Sequence, residues 1–331
     1  MIDADNIWAV IPVAGFGTRL RPHTHTRPKP LLHVAGQPII GHILDQLVPL
    51  GVKRVVLVIG YMGELIVDYV QARSDFERVE WVEQKELLGL GHAIAQTKSV
   101  VGADPMLMVY GDTVFRADLA RELLANGDGL LGVKKVEDPR RFGVVVTEGK
   151  KVVKLVEKPE EFVSDQAIVG VNLIRKSAQL FACLDDLIKR DVRLRGEFQL
   201  TDALQLMVEQ GANLSTFPVG GWFDCGTQEA MLETNRDLLQ DAPAPTHCTN
   251  TVVVPPVHID PTAEVCDSVV GPYVSIGAGA SVQHTIVRNA IIGEQAEVKA
   301  ALIEDSLIGF QAVLKGRWNH LNIGDMSEIT T

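Results

Sequence analysis

A recurrence in the last quarter of the chain limits the possible folds more than anything else in it. Val270-Gly271, Ile276-Gly277 and Val282 return as Ile286, Ile292-Gly293 and Val298, and again as Leu302, Ile308-Gly309 and Leu314. Apolar residues six apart, in blocks of about sixteen, are the hexapeptide signature of a parallel β-helix, each block giving one coil of short flat strands. Each coil is expected to turn these aliphatic residues inward and stack on its neighbours, since no single block can bury an apolar face alone. An antiparallel sandwich would instead alternate and break at hairpin turns, without this register.

Upstream, from Ile7 to about Leu239, short β-rich runs alternate with amphipathic helical segments. That order predicts an α/β domain with a mostly parallel sheet covered on both faces. Ile7 to Val13 reads as the first strand, Lys53 to Ile59 as the second, Val79 to Val82 as the third and Pro105 to Tyr110 as the fourth. A helix over about Ile39 to Leu50, stopped by Gly51, joins the first two. At Gln240 to Pro261 the text becomes proline-rich and loses helical periodicity. A chain of 331 residues exceeds the usual single domain. The boundary therefore falls near residue 243, giving domains 1–242 and 243–331.

Charge and composition exclude several classes. The formal charge of -11 argues against a broad nucleic-acid surface, although a local basic cluster can still hold a small polyanion. No apolar run approaches the roughly 20 residues needed to span a bilayer. Acidic residues stand where a signal peptide would be positive, so a cytoplasmic location is expected, with no membrane partner. The four cysteines Cys183, Cys225, Cys248 and Cys266 are scattered and form no CxxC pair, which disfavours a disulfide framework and a zinc site. His23, His25 and His33 match no metal-ligand spacing.

Four constellations carry chemistry. In Ile11 to Leu32, IPVAGFGTRLRPHTHTRPKPLL, a strand empties into a loop whose Gly15 and Gly17 permit positive φ and close backbone approach to an anion. Thr18, Arg19, Arg21 and Lys29 add a hydroxyl and cations; an Arg bridges phosphates bidentately and a Lys acts as a point charge. The plainer reading is a solvated basic loop. Asp112 in YGDT and Asp224 in GWFDCGT are hard oxygen donors at strand ends, suited to Mg²⁺ bridging substrate phosphates, or else to capping helices. Glu157 and Lys158 end a strand before Pro159, where a carboxylate can accept sugar hydroxyls and an ammonium can hold a monoester phosphate, or where the two form a surface ion pair. Gln84 and Gly89-Leu90-Gly91-His92-Ala93 can read a base edge and let a ring lie on the backbone, or simply open a helix.

GTRL, PKPL, GLGHA, GDT, FGVV, EKP and WFDCGT, in this order, resemble the sugar-1-phosphate nucleotidylyltransferase family over nearly the whole chain. The resemblance implies a Rossmann-like transferase domain followed by a C-terminal left-handed β-helix, the handedness coming from the likeness alone. It implies attack of a sugar 1-phosphate on the α-phosphorus of a nucleoside triphosphate, with Mg²⁺ as cofactor and pyrophosphate released. Carried over, Arg19 holds the triphosphate and Lys29 the α-phosphate, beside Ala14, Gly15, Gly17 and Thr18. Asp112 and Asp224 hold the metal, and Gln84 and Gly89 the base. Gly143, Glu157 and Gly170 surround the hexose, Lys158 its phosphate, and Glu197 belongs to the sugar side.

Ala14 stands where thymidylyltransferases usually carry glycine, and that stretch resembles uridylyltransferases; Arg19-Leu20-Arg21-Pro22 resembles long thymidylyltransferases and mannose-1-phosphate guanylyltransferases. Glucose 1-phosphate with dTTP or UTP is the expected pair. Guanylyl transfer to mannose 1-phosphate is the alternative. Two further readings are a bifunctional enzyme that also transfers acetyl groups, for which His284 and His320 lack a partner pattern, and a non-catalytic nucleotide-sugar sensor. A homo-oligomer is expected.

Overall fold

The structure, a computed structural model, describes residues 4–122, 126–240, 248–316 and 322–330. The chain divides into two compact units, Met1–Gly15 with Ile43–Trp222, and Phe16–His42 with Phe223–Thr331. The composition boundary at 242/243 lies outside the described residues, and the division by compactness follows a different line. The loop Phe16–His42 and the helix Gln228–Leu239 belong with the C-terminal strands. Among the described residues no helix is long and apolar enough to cross a membrane.

The first unit is built on a nine-stranded sheet. Its first half is parallel, in the order Arg78–Glu83, Arg54–Ile59, Trp8–Pro12, Met106–Val109, with Trp8 beside Arg54 and Met106. Trp8, Ala9, Val10 and Ile11 are all buried, as are Val55 to Val58, because both faces of a central parallel strand are covered. The helix Ile39–Leu47 tightens into a 3₁₀ turn at Val48–Leu50 and stops at Gly51, whose φ of 76° suits glycine. Beyond Met106–Val109 the expected parallel order fails. Gln166–Ile174 runs antiparallel to Met106–Val109, and Lys151–Glu157 pairs antiparallel with Gly143–Glu148. Those two form a hairpin closed at Gly149 (φ 62°), a short connection that only antiparallel strands allow. The helices Ser177–Lys189 and Leu200–Glu209 bury Phe181, Leu184, Leu204 and Met207 against the sheet residues Met108, Leu131 and Leu214.

In the second unit, among the described residues, every pairing of the strands after residue 251 is parallel, in a seven-stranded and a five-stranded sheet. Val265, Val282, Val298 and Leu314 of one sheet share an apolar interior with Val270, Val287 and Ile303 of the other. This arrangement is compatible with the repeat read from the sequence, but the register differs by one residue in part of it. Val270 stacks on Val287, and the row Val252, Val269, Ile286, Leu302 faces outward, with Ile286 53% and Leu302 44% exposed. The expectation that Ile286 and Leu302 point inward is therefore corrected to Val287 and Ile303. The cause is an additional residue at Gly271-Pro272-Tyr273: seventeen residues separate Val269 from Ile286, and sixteen separate Val274 from Ala290. Because side chains alternate between faces, a one-residue slip exchanges inside for outside.

Candidate functional site

At the carboxyl edge of the parallel half-sheet, missing side chains let three turns approach one another. A Cβ on Gly60 would lie 2.5 Å from the Ala14 carbonyl oxygen, and one on Gly111 would lie 2.3 Å from Val13 Cγ1. The strand-end crevice of an open α/β sheet is where ligands bind. Asp112 stands on its rim in the turn closed by Thr113 N–H to the Tyr110 carbonyl (3.1 Å). The next element is the strand Thr113–Arg116, so Asp112 caps no helix.

Beside it lies a polar nest. Glu157 and Gly143 sit directly opposite each other on the hairpin. A Cβ on Gly143 would fall 2.6 Å from Thr201 Oγ1 and 2.8 Å from Glu157 Oε2, so glycine here leaves room for the carboxylate. Thr201, in the first turn of its helix, donates its hydroxyl to Glu157 Oε2 at 2.6 Å, and Lys158 Nζ is 3.4 Å from Oε1. Lys158 has φ 43° and its N–H donates to the Phe142 carbonyl, which turns the chain out of the strand. Gly170 admits the Tyr110 ring, whose hydroxyl pKa is pushed well up by burial, then by the charges of Glu157 and Asp112. Burial and Glu157 also raise the Asp202 carboxyl. The structure thus brings Gly170, Glu157 and Asp112 to Tyr110, sets Gly143 and Lys158 beside Glu157, and adds Thr201 and Asp202 there. These last two follow Glu197 by four and five residues. Their signal was position, since both fall in the first turn of a helix that follows an extended Gln199.

The GLGHA run opens the helix Leu90–Gln96, with Gly89 at φ 99°. It is fastened to the Glu197 segment: Phe198 N–H donates to the Leu88 carbonyl and Gly91 N–H to that of Phe198, both at 2.8 Å. A Cβ on Gly89 would meet Glu197 Cβ at 2.7 Å. Gln84 is 6% exposed, and its amide donates to the Gly89 carbonyl (3.1 Å) and faces His92 Nδ1 (3.1 Å). Burial lowers the His92 pKa. Glu197 is exposed, and its carboxylate accepts from Gln199 Nε2.

In the second unit, Gly17 takes φ 61° before the 3₁₀ turn Thr18–Leu20, and its carbonyl accepts from Thr24 Oγ1 at 2.9 Å. Lys29 begins a later 3₁₀ turn between Pro28 and Pro30, so its backbone direction is fixed on both sides. Its side chain is only 9% exposed, and Nζ points to Asp224 Oδ1 at 3.6 Å. The Arg19 guanidinium reaches the same place: a Cβ on Gly226 would be 2.7 Å from Arg19 Nη2 and 2.9 Å from Asp224 Oδ1. Asp224 ends the strand Gly221–Asp224, while the helix Gln228–Leu239 is capped by Thr227 Oγ1, which accepts from Ala230 N–H. Asp224 is thereby left to the two cations. Gly17, Thr18, Arg19, Lys29 and Asp224 belong to this unit; Ala14, Gly15, Gln84, Gly89, Asp112, Gly143, Glu157, Lys158, Gly170 and Glu197 belong to the other. His33, near the loop's end, has its pKa lowered by burial, against the opposing charge of Glu294.

Among the described residues no three His, Cys, Asp or Glu side chains gather as a ligand set. Magnesium asks for fewer, one or two carboxylates with substrate phosphates and water completing its shell, and Asp112 and Asp224 are each a hard oxygen donor of the kind it takes. His284 lies 3.7 Å from Asp267, both largely exposed; His320 lies outside the described residues.

Residues 8–241 match the nucleotidyl transferase family model. The chain is 31% identical over 317 residues to the low-salt glycan biosynthesis nucleotidyltransferase Agl11 of Haloferax volcanii, covering 86% of each. It is 34% identical to a glucose-1-phosphate thymidylyltransferase of Streptomyces griseus, covering 84% of this chain and 80% of that one. It is also 34% identical to the bifunctional protein GlmU of Methanococcus vannielii over 70% of this chain, where it spans about half, 55%, of the relative's length. A solved Bacillus anthracis protein assigned as a glucose-1-phosphate thymidylyltransferase superposes with a TM-score of 0.62 at 25% identity, covering 72% of this chain and 98% of that one. The glycine-cut crevice, the carboxylate nest and the lysine–aspartate pair are thus carried on a chain that belongs to the nucleotidyl transferase family.

Proposed function

We propose that this protein is a sugar-1-phosphate nucleotidylyltransferase that joins glucose 1-phosphate to the nucleotidyl group of dTTP or UTP and releases pyrophosphate. The observation that carries the reading is Lys29, a nearly buried ammonium held 3.6 Å from a carboxylate beside a guanidinium. Burying a charge is costly unless it is paired, and an ammonium held in this way beside a guanidinium is suited to a polyanion. The sugar phosphate oxygen attacks the α-phosphorus and the bond to pyrophosphate breaks. A phosphate monoester is largely dianionic at neutral pH, its second pKa being about 6, so no protein base is required. Catalysis then consists of alignment and of Arg19 and Lys29 opposing the charge that builds on the transferring group. Ala14, Gly15, Gly17, Thr18, Gln84 and Gly89 are assigned to the nucleotide. Gly143, Glu157, Gly170 and Glu197 are assigned to the hexose, and Lys158 to its phosphate. Asp112 and Asp224 are assigned to magnesium, which supplies further charge neutralisation when bound.

The relatives support the substrate class: one is named for thymidylyl transfer and another, UTP--glucose-1-phosphate uridylyltransferase AglF of Haloferax volcanii, for uridylyl transfer. We assign the C-terminal parallel strands to a left-handed β-helix that serves self-association in a homo-oligomer. A second, acetyl-transferring activity is not favoured, since His284 and its neighbour Asp267 are both largely exposed. The test is a matrix of five nucleoside triphosphates against several sugar 1-phosphates with Mg²⁺, read by pyrophosphate. Release with glucose 1-phosphate and dTTP or UTP is expected. Thermal stabilisation by nucleotide sugars with no release for any pair would replace the enzyme with the sensor reading.

A further inference from the structure

Within the second unit, one edge of the parallel strands carries a column of glycines, Gly277, Gly293, Gly309 and Gly324. A Cβ on Gly293 would lie 2.8 Å from the Gly309 backbone, and one on Gly309 2.6 Å from that of Gly324. The residues that follow them form a second column, and three of its members touch the loop that carries Lys29. Glu294 Oε2 is 2.6 Å from Arg27 Nη1, and Oε1 is 3.5 Å from His33 Nε2. The Phe310 ring lies 4.0 Å beneath the Arg27 guanidinium carbon. Asp325 accepts from the Thr26 hydroxyl and, at 2.8 Å, from Phe310 N–H. Arg27 precedes Lys29 by two residues and His33 follows it by four. One carboxylate therefore ties both ends of the Pro28-Lys29-Pro30-Leu31 turn. A cavity of about 50 Å³ adjoins this tie, lined by Arg27, His33 and Glu294 themselves together with Leu31, Ile308 and Phe310 among others.

We propose that Glu294 is a positioning residue: through Arg27 and His33 it holds the turn that aims Lys29 at Asp224. The inference rests on the nucleotidylyltransferase reading for its kinetic consequence and on the loop contacts for its structural one. A turn that loses the Glu294 contacts, and is left with those of Phe310 and Asp325 on its N-terminal side, samples orientations in which Nζ no longer meets the transferring phosphoryl group, so the loss falls on kcat. The sugar-phosphate residues lie on other segments, so its KM does not follow.

The test compares wild type with Glu294→Ala, Glu294→Gln and Glu294→Asp in the full-length protein, by steady-state kinetics and amide hydrogen exchange. Expected for Glu294→Ala are a kcat lowered tenfold or more, a sugar 1-phosphate KM within twofold of wild type, and at least fivefold faster exchange over residues 22–33. Exchange in Ile286–Ile292 and Leu302–Ile308 stays unchanged, and Glu294→Asp recovers part of kcat. If Glu294→Ala loosens those strands too, Glu294→Gln, which keeps the shape, decides by the same readouts. Unchanged exchange in 22–33, or faster exchange with an unchanged kcat, overturns the proposal. A wild type that releases no pyrophosphate refutes the enzyme reading instead, and the exchange comparison still decides whether Glu294 braces the turn.

Discussion

Replacing Gly143 by alanine adds one carbon where the structure has no space for it. The position has no left-handed backbone requirement, so the effect is steric alone. The new Cβ would lie 2.6 Å from Thr201 Oγ1 and 2.8 Å from Glu157 Oε2, both too close, so each of the two side chains must shift. Either movement breaks their 2.6 Å hydrogen bond. A hydrogen bond to a charged group contributes about 1.5–3 kcal/mol, which at ~1.4 kcal/mol per decade is a loss of roughly 10- to 100-fold in kcat/KM for the sugar 1-phosphate. Overpacking separately costs about 1–3 kcal/mol of stability. Thr201→Val separates the two effects, since it deletes the hydroxyl without crowding the carboxylate. Both variants should lose kcat/KM for the sugar phosphate while the nucleotide KM stays within about threefold, and only Gly143→Ala should melt several degrees lower. If both keep kcat/KM for the sugar phosphate within twofold, Glu157 does not hold the sugar.

Lys29→Met should lower kcat by about 10²- to 10³-fold, the scale for removing one group that opposes developing charge, with little loss of melting temperature because a buried ammonium is exchanged for an apolar chain of similar length; retention of a tenth of wild-type kcat would contradict its role. Gly226→Ala should displace the flexible end of Arg19, raising the nucleotide KM several-fold at nearly unchanged stability, and an unchanged KM would remove Arg19 from the triphosphate. For His33 the folded pKa lies below the unfolded value, so below pH 6.5 the unfolded chain binds the additional proton and stability falls with acidification. Thermal melts from pH 8 to 5 should show a smaller acid loss in His33→Gln than in wild type, and equal slopes would contradict the assignment.

The parallel half of the sheet could be read from the sequence because strands such as Val55 to Val58 are buried on both faces and appear as unbroken apolar runs. The antiparallel half was hidden, since orientation depends on the turn at Gly149 and not on strand composition. The inward register of the repeats was misread for a related reason: one additional residue at 271–273 shifts every side chain before it relative to those after it, while the overall apolar rhythm survives. The site shows the same split. Lys29, Asp224 and Glu157 were marked by motifs, but the Lys29–Asp224 approach joins residues 195 positions apart, and the Thr201–Glu157 bond joins residues 44 apart. Neither is written in local spacing. The capping alternative for Asp224 could have been discounted from the sequence, because Thr227 stands one residue ahead of the helix and is itself a good N-cap.

The column of Glu294, Phe310 and Asp325 has a mechanical consequence. Parallel strands are spaced by ~4.8 Å, so three successive rungs grip the loop over about 10 Å. Anchors in one line prevent sliding and tilting but leave a hinge about that line. The ring of His258 belongs to a different column, and Gly36 packs so closely on it that a Cβ there would fall 2.5 Å from the ring. That off-axis stop converts a hinged flap into a fixed bracket.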